Sequence, residues 1–214
     1  MQPLDIRIPA ARRDGVDLPA LVLSVPTLSD TDRIAEVCQD PDIQRWTTIP
    51  TPYARQDAVD FIEDVVAPGW DAGRIYTWGV RELDATEPVS PRLVGMLSVL
   101  VTDSGRGEIG FWLAPDARGR GTMHRALAAV IELLFDPDGP FALPVLGWAC
   151  LIDDGAPNWA SWRTAWRLGF VREGRRRGVF RKNGRSYDEW TGSLLAHEPR
   201  EPAAPWDGPE PVAG

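Results

Sequence analysis

Cysteine is scarce in this chain. Cys38 and Cys150 are isolated thiols with no metal-ligand spacing, so a reduced protein without a bound metal is expected. Long apolar runs are missing too. No signal peptide and no run of membrane-spanning length can be read, which points to a cytoplasmic protein that does not engage a membrane. Positive charge is in short supply, and a net charge of −8 argues against nucleic acid as the main partner. No nucleophilic triad and no internal repeat occur.

What the chain has is apolar mass. Its 214 residues, 43% of them hydrophobic, suffice for one substantial core and one domain. The ten tryptophans need places to pack. Trp159, Trp162 and Trp166 recur at helical spacing, as core or cleft-wall residues do. Residues 172–185 hold seven basic side chains against one acid, Glu173. A solvated strand face accounts for that run, and a contact for phosphates or an acidic partner is the other reading.

Residues 1–17 read as a loose lead-in, 18–196 as the domain, and 197–214 as a proline-rich, disordered tail. Within the domain, 18–25 is a first strand. Ser29 to Asp32 starts a helix with Ile34, Val37 and Cys38 as its apolar stripe. Residues 54–66 form a second helical segment with Ala58, Phe61, Ile62 and Val65 on one face. Strands follow over 76–82 and 93–102, and a glycine-bearing link turns the chain into a third, from Glu108, as an antiparallel hairpin. A helix from Gly121 to Phe135 carries Met123, Leu127, Val130, Ile131 and Leu134 on one stripe, and the strand 145–152 comes next. This strand–helix–strand unit implies a locally parallel pair. Pro157 and Asn158 open the next helix, Gly169 ends it, and 170–181 with 186–194 close the domain as a hairpin.

The most informative segment is Arg118-Gly119-Arg120-Gly121, between the strand 108–114 and the following helix. A glycine turn entering a helix leaves backbone N–H groups unpaired at its positive end, which suits phosphate. A dinucleotide fingerprint fails, because Thr122, Met123 and His124 stand where the third glycine is needed. A phosphate-binding loop ending in Gly-Lys-Ser/Thr is absent.

The turn instead resembles the Arg/Gln-x-x-Gly-x-Gly/Ala motif of the GNAT superfamily of N-acetyltransferases. Arg118 and Gly121 match it, and Met123 departs from its usually small last position. Asn158 to Ser161 and on to Gly169-Phe170 resembles the Asn-x-x-Ser…Gly-Phe segment of the same superfamily. Arg45-Trp46 through Pro50 and Pro52-Tyr53, and Tyr187-Asp188-Glu189-Trp190, resemble the Rim-type group, the ribosomal-protein N-terminal acetyltransferases and their relatives. The resemblance covers about residues 18–196. It implies an α/β (α+β) GNAT fold, with a mixed, mostly antiparallel sheet, one local parallel pair and flanking helices. It also implies acetyl-CoA as cosubstrate, with no metal, and an amine-bearing peptide or small molecule as acceptor. A monomer or homodimer is expected. A non-catalytic acetyl-CoA-binding or protein-interaction module of the same fold is the alternative.

A thioester is already activated, so catalysis reduces to placing an amine beside it, removing one proton and returning another. The resemblance implies that Leu113 and Ala114 offer backbone groups to the pantetheine arm, and that Arg118, Gly119, Arg120, Gly121, Thr122 and Met123 bind the pyrophosphate. It also implies that Asn158 and Ser161 meet the cofactor arm and sulfur. On the residues alone, Asn158 can equally cap its helix and Ser161 can be a small packing residue. Ser161, Tyr187 or a water could protonate the thiolate. Glu108 is a candidate base, directly or through water, or else an exposed strand-end carboxylate. Asp153, at the end of the neighbouring strand, is a second candidate, or else a solvated loop carboxylate. Asp188 could hold the substrate amine or fix the last hairpin. His124 could neighbour phosphate or lie at the surface. Trp46, Pro50 and Tyr53 are expected to shape the acceptor cleft.

Overall fold

The computed structural model describes residues 3–13, 15–83 and 91–210. Its strands are β1 (Ile6–Ile8), β2 (Ala11–Arg13), β3 (Val16–Leu18), β4 (Ala20–Ser24), β5 (Ile75–Leu83), β6 (Arg92–Val101), β7 (Gly107–Leu113), β8 (Val145–Asp153), β9 (Ala156–Pro157), β10 (Val171–Lys182) and β11 (Arg185–Leu195). Its α-helices are α1 (Thr31–Val37), α2 (Pro41–Trp46), α3 (Arg55–Asp60), α4 (Ala67–Ala72), α5 (Thr122–Phe135) and α6 (Trp159–Arg167).

Among the described residues the main sheet runs β1-β4-β5-β6-β7-β8-β11-β10, with β9 beside β8. β7 and β8 pair in parallel, and the other neighbours pair antiparallel. The parallel pair arises because α5 intervenes, as a right-handed crossover requires. The mixed α/β sheet expected from the motifs is the sheet observed.

Apolar periodicity places the helices. The α5 stripe of Met123, Leu127, Val130, Ile131 and Leu134 is buried, against Trp148 and Leu146 of β8 and Trp162 of α6. A second cluster joins Ile34 and Val37 of α1, Ile43 of α2, Ala58 of α3, and Tyr53 and Ile62 to Leu93 and Met96 of β6. Helical layers thus cover the sheet, the arrangement that buries a two-faced sheet.

Several expectations need correction. The second helical segment runs on to Ala72 through a π-helical turn, Phe61–Val66. Pro68 follows, and a proline cannot donate the N–H that a regular helix needs. The inserted residue rotates the face, so Val66 is buried where Val65 was expected. The lead-in is not loose: Ile6 and Ile8 bracket a strand on β4, and Trp78 Nε1 donates to Leu4 O at 2.8 Å. Residues 199–210, expected as disordered, form no helix or strand yet lie against α6. Trp166 Nε1 donates to Ala204 O at 2.8 Å, and Trp206 packs edge-on near Trp159, with ring centroids 6.1 Å apart. Tryptophan burial anchors a segment that composition alone marks as unstructured. Residues 1, 2 and 14 of the lead-in and 211–214 of the tail lie outside the described residues.

No helix among the described residues is long and apolar enough to cross a membrane. Cys38 and Cys150 are free and buried, and burial pushes each thiol up to about 12.

Candidate active site

Two strands that part create the cleft. The β7–β8 register holds for Gly107↔Leu146, Glu108↔Gly147 and Ile109↔Trp148, then ends. β7 continues to Leu113 paired only to β6, while β8 continues beside β11. One edge of residues 110–113 therefore faces an opening, with backbone groups seeking partners.

The chain then turns into α5. Gly119 and Gly121 have φ of +78° and +75°, a left-handed conformation that glycine adopts without strain. A side chain at either would meet nothing within 4 Å, so the turn is open to an approaching ligand. Gly121 caps α5 without a side-chain bond, and Arg125 N donates to Gly121 O at 3.0 Å. The N–H groups of Thr122, Met123 and His124 precede that first bond and lack helical partners. They sit at the positive end of a 14-residue helix. Met123 is the motif's odd residue, but its side chain is buried in the core stripe, which keeps it off the turn's open side.

The opposite wall is α6. Asn158 caps it, its Oδ1 accepting from Ser161 N at 3.1 Å. Ser161 Oγ accepts from Trp148 Nε1 at 3.0 Å. An indole N–H only donates, so the serine hydroxyl keeps its own hydrogen for another acceptor.

Together these elements enclose a cleft of about 390 Å³. Of the residues singled out in the sequence, Trp46, Leu113, Arg118, Gly119, Gly121, Thr122, Met123, Asn158 and Ser161 line it. His124, read in the sequence as a phosphate neighbour or a surface residue, lines it too, and the cleft also takes in Asp42, Arg163, Thr164 and Arg167. Ala160, Arg163, Thr164 and Arg167 share a helical stripe, and that spacing is the signal by which the sequence could have marked them.

The rest lie elsewhere. Ala114 is fully buried, its N–H bonded to Val94 O at 2.7 Å. Tyr53 is a core residue whose hydroxyl pKa is pushed up by burial and by Cys38 and Asp57, and Pro50 is exposed off the cleft. Glu108 is exposed on β7. It stands four residues before Trp112, about 13 Å along a strand. Asp153 is engaged by Arg45 at 2.7 Å and Arg185 at 3.5 Å, which ties α2 to the end of β8. Asp188 accepts from Gly178 N at 2.9 Å and from Arg175 Nε at 2.7 Å; these bonds hold its carboxyl below the usual range. It thereby pins the irregular stretch of β10 between Arg176 and Phe180.

The turn's arginines are also occupied. Arg118 pairs with Asp40 at 2.6 Å and Asp42 at 3.2 Å, and its Nε donates to Leu113 O at 3.2 Å. Burial alone would raise the Asp40 carboxyl, but Arg118 and the Ile43 N–H lower it. Arg120 Nη2 reaches both Glu82 oxygens at 3.1 Å and the Asp116 carbonyl at 3.0 Å. These side chains brace the turn, leaving its backbone to face the cleft.

A family model described as "Acetyltransferase (GNAT) domain" matches residues 20–171. The chain is 25% identical over 183 residues to the uncharacterized N-acetyltransferase YoaA of Bacillus subtilis (strain 168), covering 85% of this chain and 95% of that protein. Among solved structures it resembles the microcin C7 self-immunity acetyltransferase MccE in complex with acetyl-CoA and AMP. That match has 21% identity and a TM-score of 0.69, over 82% of this chain and 92% of the other. It also resembles Mycobacterium smegmatis RimJ in complex with CoA-disulfide, at 17% identity and TM-score 0.68, over 83% of each chain.

Proposed function

The chain belongs to the GNAT family of acetyltransferases, and from that premise we propose that its cleft binds acetyl-CoA and passes the acetyl group directly to a primary amine. The observation that carries the reading is the parting of β7 from β8 beside the open N-terminus of α5. A strand edge suits the amides of a pantetheine arm, and the unpaired N–H groups of Thr122, Met123 and His124 suit a pyrophosphate. The MccE complex holds acetyl-CoA and AMP and the RimJ complex holds CoA-disulfide, which supports this assignment.

In the reaction the amine nitrogen attacks the thioester carbonyl carbon and the C–S bond breaks. The departing thiolate takes a proton relayed through the Ser161 hydroxyl, which is oriented by Trp148 Nε1 at 3.0 Å and regains a proton from solvent water as it gives its own. Asn158 holds the start of α6 and the cofactor arm beside it. Asp153 and Asp188 are engaged by arginines and Glu108 lies off the cleft, so the ammonium proton leaves to solvent water. An α-amine has a pKa of about 8 against about 10.4 for lysine, so a peptide α-amine needs less help from a base. The acceptor is therefore a peptide or protein N-terminus or a small amine, with Trp46 on its side of the cleft. The non-catalytic alternative drew on Met123 and on the lack of a certain base, and the core position of the Met123 side chain answers the first of these.

The test is acetyl-CoA-dependent release of CoA thiol against N-terminal peptides, polyamines and aminoglycosides. Release with one class identifies the acceptor. Ser161→Ala is expected to lower turnover by about 10²-fold with acetyl-CoA binding retained. Full turnover in that variant would remove the serine from the mechanism.

A further inference from the structure

The arginines of the turn are neutralised by Asp40, Asp42 and Glu82, yet another cationic group on the same cleft is not. Arg163 and Arg167 reach the cleft from α6, and His124 reaches it from α5. No carboxylate among the described residues pairs with either arginine. Arg163 lies over the Trp206 ring at 5.1 Å, and its Nε is buried without a hydrogen-bond partner. The His124 Nδ1 is likewise buried and unpartnered. Arg167 is the link between the other two. Burial, then Arg167 and Arg13, depress the His124 pKa, while burial, then Arg163 and Arg13, depress that of Arg167. In a chain of net charge −8, where the arginines of the turn have found acids, two arginines left without a carboxylate on a cleft wall, beside an imidazole, suit an anion.

We propose that His124, Arg163 and Arg167 form a second anion subsite that binds the 3′-phosphate on the ribose of acetyl-CoA, so that the protein discriminates against the 3′-dephospho cosubstrate. This rests on the acetyl-CoA reading above. The chemistry favours a phosphomonoester over the pyrophosphate here. A monoester carries about −1.5 to −2 charges near pH 7 and three terminal oxygens, which match two guanidinium forks. The pyrophosphate oxygens are served by the backbone N–H groups of Thr122, Met123 and His124. The spacing is consistent. Arg167 lies six residues beyond Ser161 on α6, about 9 Å along the helix axis, so the subsite is offset from the sulfur end of the cleft. Thr164 adds no donor, because its hydroxyl bonds Ala160 O at 3.0 Å.

Calorimetry on the full chain decides the matter, with acetyl-CoA and acetyl-3′-dephospho-CoA as the probes and no acceptor present. The wild type is expected to bind acetyl-CoA on the order of tenfold or more tightly than the dephospho form. Arg167→Gln, an exposed position, should weaken acetyl-CoA alone and collapse that ratio, and Arg163→Gln should do the same. Equal affinity of the wild type for both thioesters overturns the subsite while leaving the acetyl-CoA reading intact. Equal weakening of both thioesters by Arg167→Gln also overturns it. Binding of neither thioester overturns the acetyl-CoA reading, and the subsite with it.

Discussion

Glu82 is the buried carboxylate on which the phosphate-facing turn rests. It accepts from Arg120 and, at 3.1 Å, from the Thr122 hydroxyl, and Arg92 stands 3.7 Å away. Thr122 opens α5, so Glu82 fixes the helix start from behind while its N–H groups face forward. It acts through the turn and touches no cofactor itself. Glu82→Gln keeps the shape and loses the charge-assisted bonds, each worth about 1.5–3 kcal/mol. The KM for acetyl-CoA is expected to rise several-fold while kcat with a good acceptor changes little. A steady-state KM-against-kcat comparison checks this; a fall in kcat alone would contradict a positioning role. At the same scale, Arg118 and Arg120 are instructive. Charge in a glycine turn suggested phosphate contacts, but their partners Asp40, Asp42 and Glu82 are 78, 76 and 38 residues away, beyond any local pattern.

Among the elements, α6 is held from both ends. Asn158 caps its start, and Gly169 lets the chain reverse after its end with φ of +92°. A Cβ at Gly169 would stand 2.5 Å from the Pro199 carbonyl oxygen. Gly169→Ala therefore combines a left-handed backbone penalty with a backbone clash, and should cost about 2 kcal/mol or more. Urea denaturation at constant slope is the check. The parts of the fold that could be read in the sequence share a physical basis. The strand from Glu108, the glycine turn and the α5 stripe are contiguous, and each announces itself by period or by glycine. The parallel β7–β8 pair follows from them. α2 could not be read the same way. Its six residues span under two turns, too few for periodicity, and only Asp40 before Pro41 marked it. The π-helical turn escaped because one inserted residue looks, in sequence, like continued helix. The cleft wall of Asn158 and Ser161 was legible by motif, while Arg163 and Arg167 lie outside that motif and show in the sequence only as a helical stripe with Ala160 and Thr164.

At the scale of the molecule, the strongly basic run is mostly internal bookkeeping. Arg172 pairs with Asp207, Arg175 with Asp188, Arg176 with Glu189 and Arg185 with Asp154. Lys182 donates to the Gln44 and Thr47 carbonyls, tying the tip of the last hairpin to the end of α2. The segment after residue 198 does similar work on the other side. Trp206 sits 5.1 Å from the Trp166 ring and beneath Arg163, while Asp207 accepts from Trp162 Nε1 at 2.9 Å. Trp206→Ala is expected to cost about 1–3 kcal/mol, less than a fully buried tryptophan because the ring is partly exposed. Loosening Arg163, it should also weaken acetyl-CoA more than its 3′-dephospho form. Thermal melting with and without each thioester measures both effects.

That late segment gives the protein a timetable. Synthesis delivers the chain from its N-terminus. The outer side of α6 cannot be covered until residues 199–210 have been made. A nascent chain halted before Trp206 presents Trp166 and one side of Trp159 uncovered, a surface that chaperones bind and proteases test. A chain that ends before Trp206 is thereby marked by its own exposed aromatic rings.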